Sequence, residues 1–573
     1  MSTYLRSISR IALSITVLVA LTTGCERPGR ESAGEVDRSF EPAKVRSVKG
    51  VPAAEVRTAI DKRLDATRPK PTTQAQWAHA KKLYENHDGN PLWLDGDGLR
   101  ERRTKTLMTA LLNADADALS LDAYPLEELH RVVSALVETK TPSAELLADV
   151  DVALTTTYVM LGDDLLTGQV SPSSVSQDWH IEPTSAQIEA ALDRYLRDSR
   201  FDVAMTQMRP EYEEYSALQE QLQRYRKLAA SGGWQSLPET RTLKPGDHAP
   251  AGYLTALRER LSVEGYLKHD GRQSSGSRGD SVYDAEIAGA VAMFQREHGI
   301  VVDSALGAET VKSLNVPAAY RLGQIAANME RYRWMPRTPG DKYVIVNVPA
   351  FRLEAFENAQ KVMEMKVIVG AEFANRNTPA FSDSMQYVVF RPYWNATDNI
   401  MDNELWPKVE TDPTFLRRND YEVVSEGGQR RIRQLPGKKN ALGLVKFMFP
   451  NTFDIYMHDT PEQELFDKDV RAFSHGCIRL EQPERMAEWV LGWSPEEVRE
   501  AMESDRDDRR VNLKQKVAVY IVYFTTYVRD GRLYFGNDLY NRDAALIERV
   551  RNGAQPTVAA VEAVKALREL AED

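Results

Sequence analysis

Cysteine is the scarcest reactive residue type in this 573-residue chain, which contains only Cys25 and Cys477. Cys25 directly follows an apolar N-terminal stretch, so its removal or modification there would leave Cys477 as the only thiol. An intramolecular disulfide is then impossible, and a structural zinc site would need its other ligands from scattered histidines and carboxylates. Cys477 is therefore either a free nucleophile or a small buried side chain.

The chain also lacks an excess of positive charge and a second long apolar run. Its net charge of −11 argues against a nucleic-acid partner, which needs a basic face. Beyond the N-terminus, no segment is apolar for the ~20 residues that a membrane-spanning helix needs. The best later candidate, Val517–Val528, is β-branched and aromatic, as in a strand. We expect no cofactor and no metal ion.

The N-terminus has the pattern of an export signal over residues 1–25. Arg6 and Arg10 precede the apolar run Ile11–Leu21, and small residues follow up to Cys25. The Gly-Cys ending resembles the lipobox of bacterial lipoproteins, which implies that Cys25 is lipidated; ordinary signal cleavage nearby is the alternative. Glu26 is not the Asp that resembles inner-membrane retention. We therefore expect export to the periplasm, with a lipid anchor in the outer membrane as the sole membrane contact.

The remaining chain divides by composition and periodicity into a multidomain α+β protein. Residues 26–72 are rich in Arg, Glu, Pro and Ser and predict a flexible tether, whereas residues 73–237 show helical periodicity and predict a helical scaffold. Short β-branched and aromatic runs over residues 321–543 predict a mainly β catalytic domain. Within it, residues 395–442 carry few strand signals and predict a capping insertion. Residues 544–573 predict a C-terminal amphipathic helix.

A small helical module is predicted over residues 244–316. Leu254, Leu257 and Leu261 lie on one helical face, and a second helix begins near Tyr283. The stretch that follows resembles the three-helix peptidoglycan-binding module of bacterial wall enzymes, at Ala290, Val291, Phe294, Gln295, Gly299, Gly307 and Thr310, and departs from it at Ser304. The resemblance implies the fold more strongly than it implies binding, because such modules sometimes only brace a neighbouring domain.

The stretch FDIYMHD predicts a strand that ends at His458. Alternation places one apolar set of side chains and one polar set on opposite faces, namely Phe453, Ile455 and Met457 against Asp454, Tyr456 and His458. A histidine at a strand end, on the face away from the apolar set, is well placed to face a cleft. A solvated histidine without a function is the alternative.

The sequence SHGC follows His458 after a gap of fifteen residues. A thiol attacks as its thiolate, and a histidine within ~3 Å can accept the proton. Either His458 or His475 fits that role. Gly476 permits a tight turn in which backbone amides can approach an oxyanion. The group that orients His458 is predicted to be the backbone carbonyl of Asp459, because a strand would point the Asp459 carboxylate away.

The pattern HDT followed by SHGCIRL closely resembles the catalytic motif of YkuD-type L,D-transpeptidases, and the whole layout resembles their long periplasmic YcbB-type members. The resemblance implies a β-sandwich-like domain whose cysteine lies in a cleft beneath a capping segment. It implies that Cys477 attacks the third residue of a peptidoglycan stem peptide, releases the terminal D-alanine, and forms a thioester. An amine of a second stem peptide then displaces the thiol to give a cross-link between third residues.

The resemblance also implies roles for the surrounding residues. The expected site consists of Cys477 as nucleophile, His458 as proton acceptor and donor, His475 and Gly476 in the oxyanion region, and Arg479, Ser474, Tyr456 and Trp394 as substrate contacts. For Arg479, a structural ion pair is an equal alternative to gripping a stem carboxylate.

Two other functions remain open on sequence alone. The same thioester could be hydrolysed, which would make the protein an L,D-carboxypeptidase or a related hydrolase. Alternatively, the chain could be a non-catalytic peptidoglycan-binding scaffold. The presence of both His458 and Cys477 argues against a non-catalytic protein, since a protein that has lost its catalytic activity usually lacks one of the two catalytic residues.

A carbapenem tests the assigned nucleophile, because the resemblance implies that such inhibitors acylate it. We expect intact-protein mass spectrometry to detect one covalent adduct on the unmodified chain and none on Cys477→Ala. An adduct that persists in Cys477→Ala would show that the nucleophile is a different residue.

Overall fold

The computed structural model describes residues 45–181, 185–268, 281–371, 377–427, 429–551 and 557–570. The predicted export signal, Cys25 and the first part of the predicted tether lie outside the described residues. The helices are α1 (Ala53–Asp65), α2 (Gln74–Asn86), α3 (Glu101–Leu112), α4 (Leu126–Glu138), α5 (Ala144–Thr167), α6 (Ser185–Leu196), α7 (Phe201–Gln207), α8 (Glu213–Ala230), α9 (Tyr253–Val263), α10 (Ala285–Glu297), α11 (Ala308–Leu314), α12 (Ala318–Arg333), α13 (Asp398–Ile400), α14 (Trp406–Thr411), α15 (Phe415–Arg418), α16 (Pro483–Leu491), α17 (Pro495–Glu503), α18 (Ala544–Arg551) and α19 (Val558–Leu570).

The strands are β1 (Ser47–Val48), β2 (Val51–Pro52), β3 (Lys342–Asn347), β4 (Arg352–Glu357), β5 (Gln360–Gly370), β6 (Phe381–Phe390), β7 (Trp394–Asn395), β8 (Tyr421–Glu426), β9 (Gln429–Gln434), β10 (Val445–Met448), β11 (Met457–His458), β12 (Ala472–Ser474), β13 (Ile478–Leu480), β14 (Arg509–Val522), β15 (Thr526–Arg529) and β16 (Arg532–Phe535). Helices dominate before residue 334 and strands after it, so the predicted α+β class is confirmed. Among the described residues, no helix is both long and apolar enough to cross a membrane.

The N-terminal helices pack around α5, which is buried on nearly every face. Asp151, on α5, accepts hydrogen bonds from the Tyr84 hydroxyl at 2.6 Å and from the backbone N–H groups of Leu92 and Trp93 at 3.0 and 2.8 Å. These bonds satisfy a carboxylate in the interior, where an unpaired one would be costly. They also attach the loop that precedes α3 to the central helix.

The predicted tether is wrong from residue 45 onward, because α1 belongs to this bundle. Val56, Ile60 and Leu64 recur at four-residue spacing, are buried, and form one apolar face that packs against α5. The abundant charged residues between them hid this period at the level of composition.

The prediction of a single C-terminal helix is also wrong. The tail contains two helices, α18 and α19, and they pack on different parts of the molecule. Helix α18 lies against α12, whereas α19 returns to the N-terminal bundle and packs against α3 and α4 through Val564 and Leu567. The amphipathic character of the tail is therefore explained by packing.

Helices α9–α11 form the small module around their own apolar cluster. The module rests on β16, where the His298 ring stacks on Phe535 at 5.4 Å between centroids. Gly299 has a φ of +63°, and a Cβ at this position would lie 3.0 Å from the Asn537 backbone nitrogen. This close approach fixes the module against the β domain.

The β domain is one continuous sheet with the strand order β12-β5-β13-β11-β10-β6-β14-β3-β4. Strand β5 also pairs with β4, so the sheet closes on itself rather than forming the two separate layers of a sandwich. Helices α8 and α12 contact strand β15, of the separate β15–β16 hairpin, and share the apolar core of the large sheet. The helical scaffold and the β domain are thus joined by a common interior.

The capping insertion is a small folded unit and not a loop. Strands β7, β9 and β8 form a three-stranded sheet, and α13–α15 pack beside it. Its own apolar cluster consists of Ala396, Ile400, Met401, Leu405 and Ile432. The expectation of few strands is wrong here, because charged residues alternate with the apolar ones on β8 and β9 and weaken the strand signal.

Replacing Leu567 tests the return of the C-terminal helix. We expect Leu567→Ala to lower the free energy of unfolding by about 2–5 kcal/mol, because it opens a cavity in the buried interface between α19 and the bundle. Chemical denaturation measures this change, with Glu569→Ala on the exposed face of α19 as the matched control. Equal and small effects of the two variants would contradict the packing of α19.

Candidate functional site

Three neighbouring strands bring polar side chains together on one face of the sheet. Lys446 on β10 is directly opposite His458 on β11, and His458 is directly opposite Arg479 on β13. Residues paired in this way project from the same face. Their apolar neighbours in sequence, such as Phe447 and Met457, are fully buried in the core.

The strand predicted from FDIYMHD is shorter than expected. Asp454 has a φ of 55°, and regular strand pairing is limited to Met457 and His458. His458 is only 5% exposed, which excludes the alternative of a solvated histidine. The positive φ of Asp454 bends the chain so that its carbonyl oxygen faces the site.

His458 is held as a neutral imidazole with one nitrogen free. Its Nδ1 lies 2.6 Å from the Asp459 carbonyl oxygen, which confirms the predicted backbone partner. Because a carbonyl only accepts, Nδ1 carries the proton and Nε2 keeps its lone pair. Burial, with the positive charges of Arg479 and Lys446, lowers the pKa of His458 to about 3. The ring is therefore neutral throughout the physiological pH range, with the Nε2 lone pair available.

The Asp459 carboxylate connects this base to the end of the capping insertion. It accepts hydrogen bonds from the backbone N–H groups of Leu444 at 2.8 Å and Thr460 at 2.7 Å. A Cβ at Gly443, which has a φ of +61°, would lie 2.2 Å from a carboxylate oxygen. Burial raises the pKa of Asp459 to about 6. The carboxylate therefore has a structural role, distinct from that of the carbonyl.

The SHGC turn is held by hydrogen bonds within the turn and by one from a distant residue. The Ser474 hydroxyl donates to the Cys477 carbonyl at 2.5 Å and accepts from the Gly476 N–H at 3.2 Å. The Thr378 hydroxyl donates to the Gly476 carbonyl at 2.9 Å. Gly476 has a φ of 116°, a conformation that favours glycine.

This bracing changes two of the predicted roles. Ser474 is buried and its hydroxyl is committed within the turn, so it is not placed to contact a substrate. The Gly476 N–H is likewise committed to Ser474. In the described part of the chain the Cys477 N–H has no hydrogen-bond partner, and it is the backbone donor that an oxyanion could use.

Cys477 is a protonated thiol at neutral pH. Burial raises its pKa to about 11, against the opposing effects of hydrogen bonds with Tyr456 and the positive charge of Arg479. Its Sγ lies 3.8 Å from the Asp454 carbonyl oxygen, to which it can donate. The Tyr456 side chain hydrogen-bonds with Cys477, and its ring lies 5.7 Å from the His458 ring. Tyr456 therefore contacts the thiol, and its contact with a substrate stays a prediction.

His475 contacts the capping insertion. Its Nε2 lies 2.7 Å from Oε1 of Glu404, which belongs to a π-helical turn, Met401–Leu405. The expected use of the His475 side chain for an oxyanion is not supported, because the nitrogen that is bonded points to the cap. Both side chains are about one-third exposed, at 33% and 31%.

Arg479 and Trp394 each have partners within the protein. Arg479 forms an ion pair with Glu462 and lies 3.5 Å from the Thr460 hydroxyl, which agrees with the structural alternative. Trp394 lies in β7 of the cap, where its ring packs 6.2 Å from the Tyr421 ring.

Sequence reasoning missed three residues that shape the site. Lys446 alternates with two buried apolar neighbours, and that alternation could have placed it beside His458. Thr378 and Tyr540 come from distant parts of the chain; the Tyr540 hydroxyl donates to the Gly370 carbonyl at 2.6 Å and accepts from the Thr378 N–H at 3.3 Å. No local pattern indicates their contact with the SHGC turn.

An open groove of about 560 Å³ adjoins the site, lined by His180, Phe381, Ser382, Asp383, Asn451 and Phe453. It lies beside the chain segment that ends at Asp454, whose carbonyl faces the thiol. The scaffold contributes His180, whose backbone N–H donates to the Ala380 carbonyl at 2.8 Å.

The described residues include no group of three or more histidine, cysteine or acidic side chains that could hold a metal ion.

The site therefore contains three groups of the types that nucleophilic acyl transfer uses. They are the Cys477 thiol, the neutral His458 imidazole with a free nitrogen, and the backbone N–H of Cys477.

Three protein families match parts of this chain. The family described as L,D-transpeptidase catalytic domain (YkuD) matches residues 341–519. A scaffold domain matches residues 78–222, and the family described as "Putative peptidoglycan binding domain" matches residues 253–314. These matches confirm the resemblance that the catalytic motif and the small module indicated.

A curated protein from Haemophilus influenzae, named "Putative L,D-transpeptidase", is 28% identical over 240 residues, which are 38% of this chain and 48% of that protein. This chain thus spans about half the length of that relative.

Two crystal structures also align, each over 50% of this chain. An L,D-transpeptidase from Xylanimonas cellulosilytica aligns over 99% of its own chain, with 15% identity and a TM-score of 0.17. A fused zinc-dependent amidase/peptidase/peptidoglycan-binding protein from Clostridium acetobutylicum aligns over 100% of its chain, with 12% identity and a TM-score of 0.14.

The pH dependence of alkylation tests the protonation state of the thiol. With a pKa of about 11, the thiolate fraction of Cys477 should rise about tenfold for each pH unit between pH 7 and 10. The rate at which iodoacetamide modifies the peptide containing Cys477, followed by mass spectrometry, should rise in the same way. The urea-unfolded chain is the control, and its rate should flatten near the free-cysteine pKa of ~8.5. A folded-state rate that is already constant at pH 8 would contradict the raised pKa.

Proposed function

We propose that this chain, which carries an L,D-transpeptidase catalytic domain of the YkuD family beside a peptidoglycan-binding domain, cross-links the third residues of peptidoglycan stem peptides through a Cys477 acyl-enzyme. The observation that carries the proposal is the pairing of β11 with β13, which sets the SHGC turn beside the strand of His458, whose Nδ1 is held by the Asp459 carbonyl. In this arrangement a protonated thiol needs a base only when a substrate carbonyl is present to be attacked.

In the first half-reaction, the Cys477 sulfur attacks the carbonyl carbon of the third stem residue. Its proton passes to Nε2 of His458, and the Cys477 N–H donates to the developing oxyanion. The imidazolium then donates that proton to the nitrogen of the departing D-alanine. The C–N bond breaks, a thioester remains, and His458 is again neutral.

In the second half-reaction, a side-chain amine of another stem peptide attacks the thioester carbon. The amine nitrogen gives a proton to Nε2 of His458, the C–S bond breaks, and the imidazolium returns the proton to the Cys477 sulfur. The raised pKa of the thiol favours this last step, because a thiolate in this environment is readily protonated.

The location proposed for this reaction is the periplasm. The N-terminal pattern that ends at Cys25 supports export and a lipid anchor. An outer-membrane anchor would hold the enzyme at the face of the cell wall. Carbapenems are proposed as inhibitors for the same reason that stem peptides are substrates, since both offer a carbonyl to Cys477.

A purified disaccharide-tetrapeptide tests the function. We expect mass spectrometry to detect D-alanine release and a dimer joined between third residues, both lost in Cys477→Ala. Substitution His458→Gln should lower the rate of acyl-enzyme formation by about 10²–10⁴-fold, which is the usual contribution of a positioned base. Glu464→Gln, an exposed change in the loop between the two catalytic residues, is the matched control. Tripeptide without dimer would show a hydrolase instead, and the absence of any reaction would show a binding scaffold.

A further inference from the structure

The second half-reaction requires the removal of two protons from the acceptor, and His458 can accept only one of them. An aliphatic amine enters as an ammonium ion, which must lose one proton before it can attack and a second after it has attacked. His458 has one available nitrogen, because its Nδ1 is held by the Asp459 carbonyl. That nitrogen takes the second proton and returns it to sulfur. The first proton therefore needs a different acceptor.

His475, in contact with Glu404, is a side chain that could accept this first proton. The Nε2 of His475 is 2.7 Å from the Glu404 carboxylate, which fixes the proton on Nε2 and leaves the lone pair on Nδ1. In the described residues, that Nδ1 has no hydrogen-bond partner. A carboxylate behind an imidazole stabilises the imidazolium that forms when the ring accepts a proton.

The position of this pair also separates it from the thiol-activating base. His475 belongs to the same turn as Cys477, but its ring faces the capping insertion. His458 lies on β11 of the sheet, with its ring 5.7 Å from the Tyr456 ring, and is almost completely buried. The pair of His475 and Glu404 remains one-third exposed, as a site that receives a charged group from solvent must be.

We propose that His475 and Glu404 form a binding and deprotonation site for the ammonium group of the acceptor, built where the cap meets the catalytic turn. The Glu404 carboxylate attracts the ammonium ion, and Nδ1 of His475 removes one proton from it. The neutral amine then attacks the thioester, and the His475 imidazolium releases its proton to water. Per cross-link, one amide bond forms, one C–S bond breaks, and one proton leaves. His475 is a catalytic residue in this scheme, and Glu404 is a positioning residue.

This assignment rests on the proposed function, and it makes a prediction that bracing of the turn alone would not. The site should matter only for acceptors that arrive protonated. Hydroxylamine, which is largely uncharged near neutral pH, attacks a thioester without prior deprotonation. A variant that lacks the site should therefore lose reaction with an aliphatic amine much more than reaction with hydroxylamine.

The experiment uses the full chain with disaccharide-tetrapeptide as donor, and either a stem tripeptide with a free side-chain amine or hydroxylamine as acceptor. D-alanine release measures acylation, and mass spectrometry of the products measures transfer. For His475→Asn, we expect transfer to the tripeptide to fall by about 10²–10⁴-fold relative to transfer to hydroxylamine. Glu404→Gln, which keeps the hydrogen bond but not the charge, should show a smaller loss with the same acceptor dependence.

Asp402→Asn is the matched control, because Asp402 is exposed in the same π-helical turn. Equal losses with both acceptors, or losses confined to D-alanine release, would overturn the assignment and give His475 a structural or acylating role. Unchanged transfer in both variants would overturn it as well. If the unmodified chain forms no acyl-enzyme at all, the proposed function itself fails, which is distinguishable from a failure of this site alone.

Discussion

The hydrogen bond between His458 and the Asp459 carbonyl is the interaction on which the rest of the site depends. It fixes the proton on Nδ1, so the free nitrogen is the one that can serve the thiol. Burial then keeps the ring neutral, and the same burial keeps Cys477 protonated. In the proposed reaction, the proton of the thiol would pass to the free nitrogen of this neutral ring.

The backbone around this bond is held by contacts that come from several elements. The Asp459 carboxylate binds the chain as it leaves the capping insertion, and Thr378 holds the Gly476 carbonyl. Tyr540 binds both Thr378 and Gly370. The reactive turn is therefore positioned by residues more than sixty positions away on either side of it. This dispersed support is characteristic of sites that need a fixed geometry.

The backbone partner of His458 was predictable from sequence because it is a local property, namely adjacency to Asp459. Counting cysteines likewise isolated Cys477 as the candidate nucleophile, a role that stays a prediction. The contact of His475 with Glu404 was not predictable, since it joins residues 71 positions apart through the fold of an insertion. Helix α1 was not predicted, for a different reason. Its buried face consists of a few apolar residues among many charged ones, and so few residues scarcely change the composition of the segment.

The return of α19 to the N-terminal bundle has a consequence for biosynthesis. Residues of the bundle emerge first from the ribosome, whereas Val564 and Leu567, which complete its apolar core, emerge last. Domains usually fold as units in the order of their synthesis. This bundle instead stays without its last helix until nearly the whole chain has been made. The apolar core of the first domain can therefore be completed only after the last helix has been synthesised.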